Sequence, residues 1–124
     1  MPASPTVSIV DDDPWAREGI KDLVASLGYR THTFASAEEF LKSQWVDATA
    51  CVISDLQMPG LSGLDLQRRL ASLSRTPSFI LVTAFPDERC QANALGAGAR
   101  GFLVKPFDEA QLISCLIEAI GPAF

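Results

Sequence analysis

Polar residues of the kinds that handle metal ions and phosphate follow four short apolar runs of the sequence. They come directly after the runs, in this order: Asp11, Asp12 and Asp13, then Asp55, then Thr83, then Lys105. Carboxylates that lie close together repel one another, and a hard divalent cation such as Mg²⁺ relieves that repulsion. An ammonium group and a hydroxyl group beside them suit phosphate oxygens. The residue types therefore indicate metal-assisted phosphate chemistry, provided that the fold brings them together.

The elements that would position these residues alternate strictly between strand and helix. Short apolar runs predict strands, and apolar residues at helical spacing predict helices. Asp13 is an expected N-cap before Pro14, and Ser36 with Glu39 forms a capping-box pattern. The predicted strands cover residues 6–10, 30–34, 51–54, 79–82 and 101–104. The predicted helices cover 14–27, a segment opening at 36, then 61–73, 87–95 and 108–120.

This alternation predicts an α/β fold in which helices cover both faces of a parallel sheet. Four of the strands are nearly continuous in apolar residues, as strands buried on both faces are. The strand at 30–34 is mixed in polarity and is therefore expected at an edge of the sheet. Ligands of open parallel sheets bind at the carboxyl ends of the strands, which is where Asp11, Asp55, Thr83 and Lys105 stand.

The composition fits one domain over residues 1–124, with a core over about 6–120, and argues against several functions. Hydrophobic residues make up 48% of the 124 residues, and the net charge is −5. Lys and Arg are scattered, so direct binding to nucleic acid or to an anionic membrane is not expected. No apolar run approaches the roughly 18 residues of a membrane span, and residues 1–5 lack the features of a signal peptide. Residues 121–124 fit either a natural end or the start of a linker.

The three cysteines, Cys51, Cys90 and Cys115, are odd in number and irregularly spaced. We interpret them as reduced, buried thiols of a cytoplasmic protein rather than as a disulfide framework or a metal site. His32 is expected to be a half-exposed strand residue and not a ligand. Phe40 and Trp45 are expected to pack under the second helix.

Several motifs, taken together and in this order, resemble the receiver domain of two-component response regulators. The motifs are IVDDD at 9–13, DLQMPGLSG at 55–63, VTA at 82–84, ALGAGA at 94–99 and GFLVKPF at 101–107. The resemblance covers residues 7–120 approximately. It implies a flavodoxin-like, doubly wound (βα)5 fold with the strand order 2-1-3-4-5. The segment FASAEEFL at 34–41 is similar to the FixJ-like branch of the family.

The resemblance implies that Asp55 accepts a phosphoryl group from the phosphohistidine of a sensor histidine kinase. It also implies a requirement for Mg²⁺ or Mn²⁺. Asp12 would be a direct metal ligand and Asp11 would act through water. The backbone carbonyl of Gln57 would join Asp55 as a further ligand. On this basis the chain is not an enzyme in the usual sense, because it catalyses only its own phosphorylation and dephosphorylation.

The resemblance also assigns the switch residues. Thr83 would bond the phosphoryl oxygen and move toward it, and Lys105 would pair with the same group. The peptide bond between Lys105 and Pro106 would be cis. Phe102 stands at the aromatic switch position and would swing inward behind Thr83. Because many members have Tyr at that position, the ring in this chain would lack a hydroxyl hydrogen bond.

Two further positions are expected to tune the site, and a third to report on it. Phe85 is bulky and apolar at a position that lines the access of water, and Gln57 follows the phosphoacceptor by two residues. We hypothesise that both set the rate of dephosphorylation. Trp15 follows the acid cluster closely and is expected to report metal binding by fluorescence.

The family resemblance also implies partners. These are a sensor histidine kinase, a DNA-binding domain after the receiver in the full-length protein, and a second copy of the chain on phosphorylation. The output face would involve the fourth helix, the fifth strand and the fifth helix, where Phe107, Gln111 and Cys115 would meet a partner.

Simpler interpretations of the same residues stay open from sequence alone. Asp13 can serve only as a helix cap, and Asp55 can be a turn residue before Pro59 and Gly60. Thr83 can be an ordinary strand-end residue, and Lys105 an ordinary surface lysine. Phe102 can be a plain core residue.

Three other functions compete with the phosphorylation switch. A haloacid-dehalogenase-type phosphatase also uses an aspartate nucleophile with Mg²⁺, but it needs a second Asp where this chain has Gln57. A nucleotide- or flavin-binding module would need a Gly-rich or Ser/Thr-rich loop where this chain has Asp11 to Trp15. A receiver-like domain that signals through contacts alone would not need the acid, hydroxyl and ammonium set.

Overall fold

The computed structural model describes residues 4–73 and 76–123. The described residues form five strands, β1 to β5, and five α-helices, α1 to α5. The strands are Thr6–Val10, Arg30–Phe34, Cys51–Asp55, Ser78–Thr83 and Gly101–Val104; the helices are Pro14–Ser26, Ala37–Leu41, Gly63–Ala71, Glu88–Gly96 and Glu109–Ile120. A 3₁₀ turn over Val46–Ala48 precedes β3. The predicted domain bounds of 1–124 include residues 1–3, 74–75 and 124, which lie outside the described residues.

The strands form one parallel sheet in the order β2-β1-β3-β4-β5, so the predicted fold class and strand order are confirmed. β2 lies at an edge, as its mixed polarity predicts. The register pairs Asp55 with Val82, and Thr83 with Val104. Because all strands run in the same direction, the polar residue that ends each strand comes to the same edge of the sheet.

Two bounds differ from the sequence-based prediction in a way that matters for the site. β3 extends to Asp55 and β4 extends to Thr83, so both residues belong to the sheet instead of following it. The third helix begins at Gly63 and not at Leu61. The reason is Ser62, whose side chain accepts a hydrogen bond from the Asp65 N–H in a capping box that fixes the start of α3.

The sheet divides the core into two layers. On one face β-strand side chains pack with α1 and α5, through residues such as Ile9, Val24 and Leu112. On the other face they pack with α2, α3 and α4, through Phe40 and Leu66. Successive strand residues point to opposite faces, which explains why the central strands are apolar at nearly every position.

The second helix is short and its first turn differs from the expected capping box. Ser36 caps the helix by accepting from the Glu39 N–H, as predicted. The Glu39 carboxylate, however, accepts from the Ala35 N–H at 3.3 Å and not from the N–H of Ser36. Glu39 therefore stabilises only the local entry into α2.

The burial of the cysteines corrects one expectation. Cys51 is buried in β3, but Cys90 and Cys115 are only partly buried. Each lies on its helix where the side that faces the core meets the side that faces solvent. Cys115 packs against Gly101, where an added Cβ would lie 2.9 Å from the Cys115 Sγ. Within residues 4–73 and 76–123, no helix is long and apolar enough to cross a membrane.

The other expected packing positions agree with the structure. Phe40 is fully buried in the layer beneath α2. Trp45 is partly buried and its ring stacks on the half-buried His32 ring, with centroids 3.8 Å apart. His32 is thus occupied in an aromatic contact in the middle of the edge strand.

Candidate functional site

The carboxyl edge of the sheet carries all the polar residues that the sequence places after strands. Asp11 follows β1, Asp55 ends β3, Thr83 ends β4 and Lys105 follows β5. The ladders continue into the loops at this point: the Leu56 N–H donates to the Val82 carbonyl at 2.9 Å, and the Lys105 N–H donates to the Thr83 carbonyl at 2.7 Å. The backbone of the sheet therefore fixes where these side chains start.

Three carboxylates converge at this edge. One oxygen each from Asp11, Asp12 and Asp55 lies within 4.8 Å of the others. Asp11 is fully buried, Asp55 is 8% exposed and Asp12 is exposed. The cluster thus reaches from the end of the sheet to solvent, with Asp12 on the open side.

Lys105 reaches from β5 across to the cluster. Its Nζ donates to Asp11 Oδ2 at 2.9 Å and lies 3.8 Å from Asp55 Oδ2. In this arrangement the ammonium group pairs more closely with Asp11 than with Asp55. Because the Lys105 side chain is largely buried and the two carboxylates are buried too, this interaction is little screened by solvent.

Asp11 uses both of its carboxylate oxygens within the protein. Oδ1 accepts from the Asp13 N–H at 2.9 Å, and Oδ2 accepts from Lys105. Its backbone carbonyl accepts from Arg17 Nη1 at 2.8 Å. Asp13 in turn caps α1 by accepting from the Trp15 N–H at 3.0 Å. These contacts hold the β1–α1 turn in place and leave Asp12 with the more accessible carboxylate of the pair.

The environment of Asp55 disfavours its charged form. Burial raises the pKa of the Asp55 carboxyl above its ordinary value, and the nearby Asp11 and Asp12 carboxylates raise it further. Lys105 and the hydrogen bond from the Gln57 backbone lower the pKa, but they do not offset the burial. The site therefore holds a carboxylate that a bound cation would stabilise.

The residues present fit a hard divalent cation. The donor set is made of carboxylate oxygens, which suit Mg²⁺ or Mn²⁺ and not a soft metal. Asp12 and Asp55 would bind the ion directly, and the backbone carbonyl of Gln57 would complete the protein ligands. Asp11, with both oxygens already in hydrogen bonds, fits the outer role that the family resemblance implies.

Thr83 is held by the side chain of Gln57. The Thr83 hydroxyl donates to Gln57 Oε1 at 2.7 Å and accepts from the Phe85 N–H at 3.0 Å. Gln57 Nε2 donates to the Phe85 carbonyl at 3.4 Å. The three residues thus connect the loop after β3 with the loop after β4, and they direct the Thr83 hydroxyl proton away from the carboxylate cluster.

The segment after Asp55 approaches the sheet so closely that a glycine is needed at the start of α3. A Cβ on Gly63 would lie 2.5 Å from the Asp55 carbonyl oxygen and 2.6 Å from the Leu81 side chain. The Gly63 N–H donates to the Leu56 carbonyl at 2.9 Å. On the β5 side the Lys105–Pro106 peptide bond is cis, as the resemblance implies.

Three aromatic residues named from the sequence lie around the site in different environments. Phe102 is half-buried and packs against the core layer shared by α3 and α4. The register places it beside Leu81, on the same face of the sheet as Thr83. Phe85 is 73% exposed and Trp15 is 87% exposed. The Phe85 ring therefore contributes to the rim of the site and not to its interior.

Two contacts of the site were not predicted from the sequence. The Arg17 contact with the Asp11 carbonyl has no sequence signal beyond a position one helical turn after the cap. The Gln57 side-chain bond to Thr83 joins residues 26 positions apart. A long amide side chain two residues after Asp55 was the one available clue, and it did not indicate which group the amide would contact.

Comparisons with known proteins agree with this geometry. A sequence model of the response regulator receiver domain matches residues 7–117. Response regulator protein TmoT of Ectopseudomonas mendocina is 39% identical over 92% of this chain and 52% of that protein. Transcriptional regulatory protein FixJ of Azorhizobium caulinodans is 34% identical over 98% of this chain and 57% of that protein. A receiver domain structure from Clostridium thermocellum has a TM-score of 0.86 at 27% identity, with 94% of each chain covered.

The chain spans about half the length of the curated relatives that it matches, 52% of TmoT and 57% of FixJ. The structural match covers 94% of the receiver domain from Clostridium thermocellum. The similarity to the longer relatives is therefore confined to one part of each.

Neutralising Asp55 is expected to stabilise the metal-free protein. Because the folded state raises the pKa of Asp55, stability associated with this group is present below the ordinary value of 3.8 and is lost as pH rises through the folded pKa. The Asp55→Asn variant should therefore have a higher Tm than wild type at pH 7 in EDTA. The difference should shrink as the pH approaches 4.

Thermal unfolding with and without Mg²⁺ checks this prediction. At tenfold excess over its Kd, Mg²⁺ should add about 1.4 kcal/mol to the wild type and much less to Asp55→Asn. Asp22→Asn, which removes an exposed carboxylate from α1, serves as the control and should behave like wild type. A metal-free Tm of Asp55→Asn equal to or below that of wild type would contradict the electrostatic account.

Proposed function

The chain belongs to the response regulator receiver domain family, and we propose that it is a phosphorylation-activated switch whose phosphoacceptor is Asp55. The observation that carries this proposal is the convergence of Asp11, Asp12, Asp55 and Lys105 at the carboxyl edge of the sheet, with Thr83 on the adjoining strand. A helix cap, a turn residue and a surface lysine would not need to meet in this way. Over about residues 6–120 the chain is proposed to act as one receiver domain.

The proposed reaction is an in-line phosphoryl transfer. An Asp55 carboxylate oxygen attacks phosphorus, the P–N bond to the histidine of a sensor kinase breaks, and the imidazole leaves with the electron pair and takes up a proton. The product is an aspartyl phosphate. The domain is deactivated by hydrolysis: water attacks phosphorus, the bond from phosphorus to the Asp55 oxygen breaks, and inorganic phosphate leaves the restored carboxylate. The domain thus catalyses only its own phosphorylation and dephosphorylation.

Each residue of the site has a proposed role in this transfer. When bound, Mg²⁺ or Mn²⁺ neutralises charge on the phosphoryl oxygens. Asp12, Asp55 and the Gln57 carbonyl would hold the ion, and Asp11 would support it from the outer shell. Lys105, already within 3.8 Å of Asp55, pairs with the phosphoryl group.

The change of state is proposed to begin at Thr83. Its hydroxyl must leave the Gln57 amide to donate to a phosphoryl oxygen, and Phe102 then moves inward on the same face of the sheet. A phosphoryl group that favours the active state by only a few kcal/mol changes its occupancy greatly. The output is thus a shift of population and not a new fold.

The partners, upstream and downstream, are proposed from the family. They are a cytoplasmic sensor histidine kinase domain, a DNA-binding domain after the receiver, and a second copy of the chain on phosphorylation. Phe107 and Cys115 are partly buried against the core, and the Gln111 side chain caps α5 by accepting from the Asp108 N–H at 3.0 Å. Exposed apolar residues of α4, β5 and α5 offer a partner more contact area than these three residues do. They are Leu95, Val104 and Ile117.

Phosphorylation of the wild type by a small phosphodonor is the direct test of this function. Incubation with acetyl phosphate and Mg²⁺ should add the mass of one phosphoryl group to most molecules, measured by intact-protein mass spectrometry. EDTA should abolish the gain, because the transfer needs charge neutralisation. The Asp55→Asn variant should show no gain, and Asp22→Asn should gain the group as wild type does.

Three results would count against the proposal. A phosphoryl gain that persists in Asp55→Asn would place the acceptor elsewhere. No gain in the wild type, under conditions that modify another receiver domain and with a purified kinase also unable to transfer, would favour a domain that signals through contacts alone. Phosphatase turnover of the donor without a labelled intermediate would instead indicate a Mg²⁺-dependent phosphatase.

The rate of dephosphorylation is proposed to depend on Gln57 and Phe85. The Gln57 amide lies between the two loops that flank the cluster, where it can orient a water molecule. The Phe85 ring stands at the rim, and its backbone N–H holds Thr83. The amide would promote the attack of water, and the ring would restrict the entry of water.

The two positions are expected to change the phosphoryl lifetime in opposite directions. Phe85→Ala should shorten the half-life about threefold or more by opening the rim, and Gln57→Leu should lengthen it similarly by removing the amide; threefold corresponds to about 0.6 kcal/mol. The measurement is loss of ³²P or of the mass gain after removal of the donor. Trp15→Ala, at a second exposed aromatic residue, is the control. An unchanged half-life in Phe85→Ala would exclude a role for that ring.

A further inference from the structure

We propose that Glu38, on α2, is a positioning residue for the loop that carries the proposed metal ligand Gln57. This inference rests on the proposed function, because it concerns the metal role of the Gln57 carbonyl. Glu38 lies in the FASAEEFL segment, which stands between Asp12 and Asp55 in the sequence and is adjacent to neither. It would act through the backbone of the loop and not by touching the metal.

A long-range hydrogen bond joins α2 to the loop, beside the apolar packing of Phe40 and Leu61 in the same core layer. Glu38 Oε2 accepts from the Leu61 N–H at 3.2 Å, across 23 positions of sequence. The loop runs from Leu56, which continues the β3 ladder, to Gly63, which begins α3. Glu38 therefore holds the loop between these two fixed ends, and it does so just after the Met58-Pro59-Gly60 turn.

Gly60 shows that the loop is shaped around this carboxylate. Its φ is +76°, a left-handed conformation that glycine adopts without the strain of a side chain. A Cβ at Gly60 would overlap Glu38 Oε2. The glycine thus serves two needs at once: it makes the turn, and it leaves room for Glu38 to reach the Leu61 N–H.

The placement of Glu38 has an energetic cost that a surface glutamate would avoid. Its Oε1 is buried and has no hydrogen-bond partner among the described residues. A buried polar atom without a partner destabilises the folded state, because the hydrogen bonds that it makes to water when unfolded are not replaced. A glutamate on the first turn of a helix could instead point to solvent, as its neighbour Glu39 does. The inward position of Glu38 is therefore explained by the loop contact that it makes.

The consequence for the site follows from the length of the loop. Gln57 is four residues before Leu61, and the chain between them contains Pro59, which restricts its freedom. If the Leu61 N–H loses its acceptor, the middle of the loop gains freedom, and the Gln57 carbonyl less often takes the position that its proposed metal role requires. Metal affinity should fall, although no ligand has been removed.

Mg²⁺ titration of ¹⁵N-labelled protein, followed by NMR, tests this inference. Glu38→Ala should raise the Kd for Mg²⁺ at least about threefold and should speed amide exchange at Leu61. Glu38→Gln keeps an acceptor oxygen and removes only the charge, so it should restore most of the affinity and the protection of Leu61. Glu39→Ala is the matched control: it removes an acid one position away, whose carboxylate accepts from the Ala35 N–H and not from the loop that carries Gln57 among the described residues. Its Kd should stay near that of wild type.

The outcomes separate this inference from the proposed function. Wild-type binding with an unchanged Kd in Glu38→Ala would overturn the inference alone. An equal loss in Glu38→Ala, Glu38→Gln and Glu39→Ala would also overturn it, because it would show a general effect of charge. A wild-type protein that binds no Mg²⁺ would overturn the proposed function together with the inference. Should Glu38→Ala not fold, Glu38→Met fills the same space without an acceptor and replaces it in the comparison.

Discussion

The mutual repulsion of buried carboxylates is the constraint on which the rest of the site depends. Asp11 and Asp55 lie at the end of the sheet with little access to water, and Asp12 adds a third negative charge on the open side. Lys105 is the cation that the protein itself supplies, and it pairs with Asp11 more closely than with Asp55. Asp55 is thereby left incompletely compensated, with a raised pKa. This imbalance favours a divalent cation at the cluster.

The fold explains how these polar side chains are held in defined positions at one edge of the sheet. Five parallel strands bring their carboxyl ends to one edge, and backbone ladders continue into the loops at Leu56 and Lys105. The polar side chains therefore start from positions that two packed layers of core hold in place. The orientation of the Thr83 hydroxyl, in contrast, is set by a side-chain hydrogen bond between two loops. A rigid frame with a few exchangeable hydrogen bonds is what a two-state switch requires.

The parts of this structure that the sequence predicts are those set by periodicity and by strand ends. The parallel sheet, the edge position of β2 and the meeting of Asp11, Asp55 and Lys105 follow from the alternation of elements and from the polarity of the strands. The strand order itself comes from the resemblance to the receiver family. The bounds of β3, β4 and α3 were less accurate, because they depend on ladder bonds and on the Ser62 cap. The Gln57–Thr83 and Glu38–Leu61 contacts lay beyond sequence analysis, since each joins distant segments through a flexible polar side chain. Residue types alone do not specify such partners.

The central claim is that Asp55 is held as an under-compensated carboxylate that a cation stabilises. The most direct measurement is the pKa of the Asp55 carboxyl group, followed by the ¹³C NMR shift of its carboxyl carbon, in EDTA and in saturating Mg²⁺. The account predicts a metal-free pKa above the ordinary aspartate value of 3.8 and a clear fall when Mg²⁺ is added. A metal-free pKa at or below 3.8, or one that Mg²⁺ leaves unchanged, would contradict it.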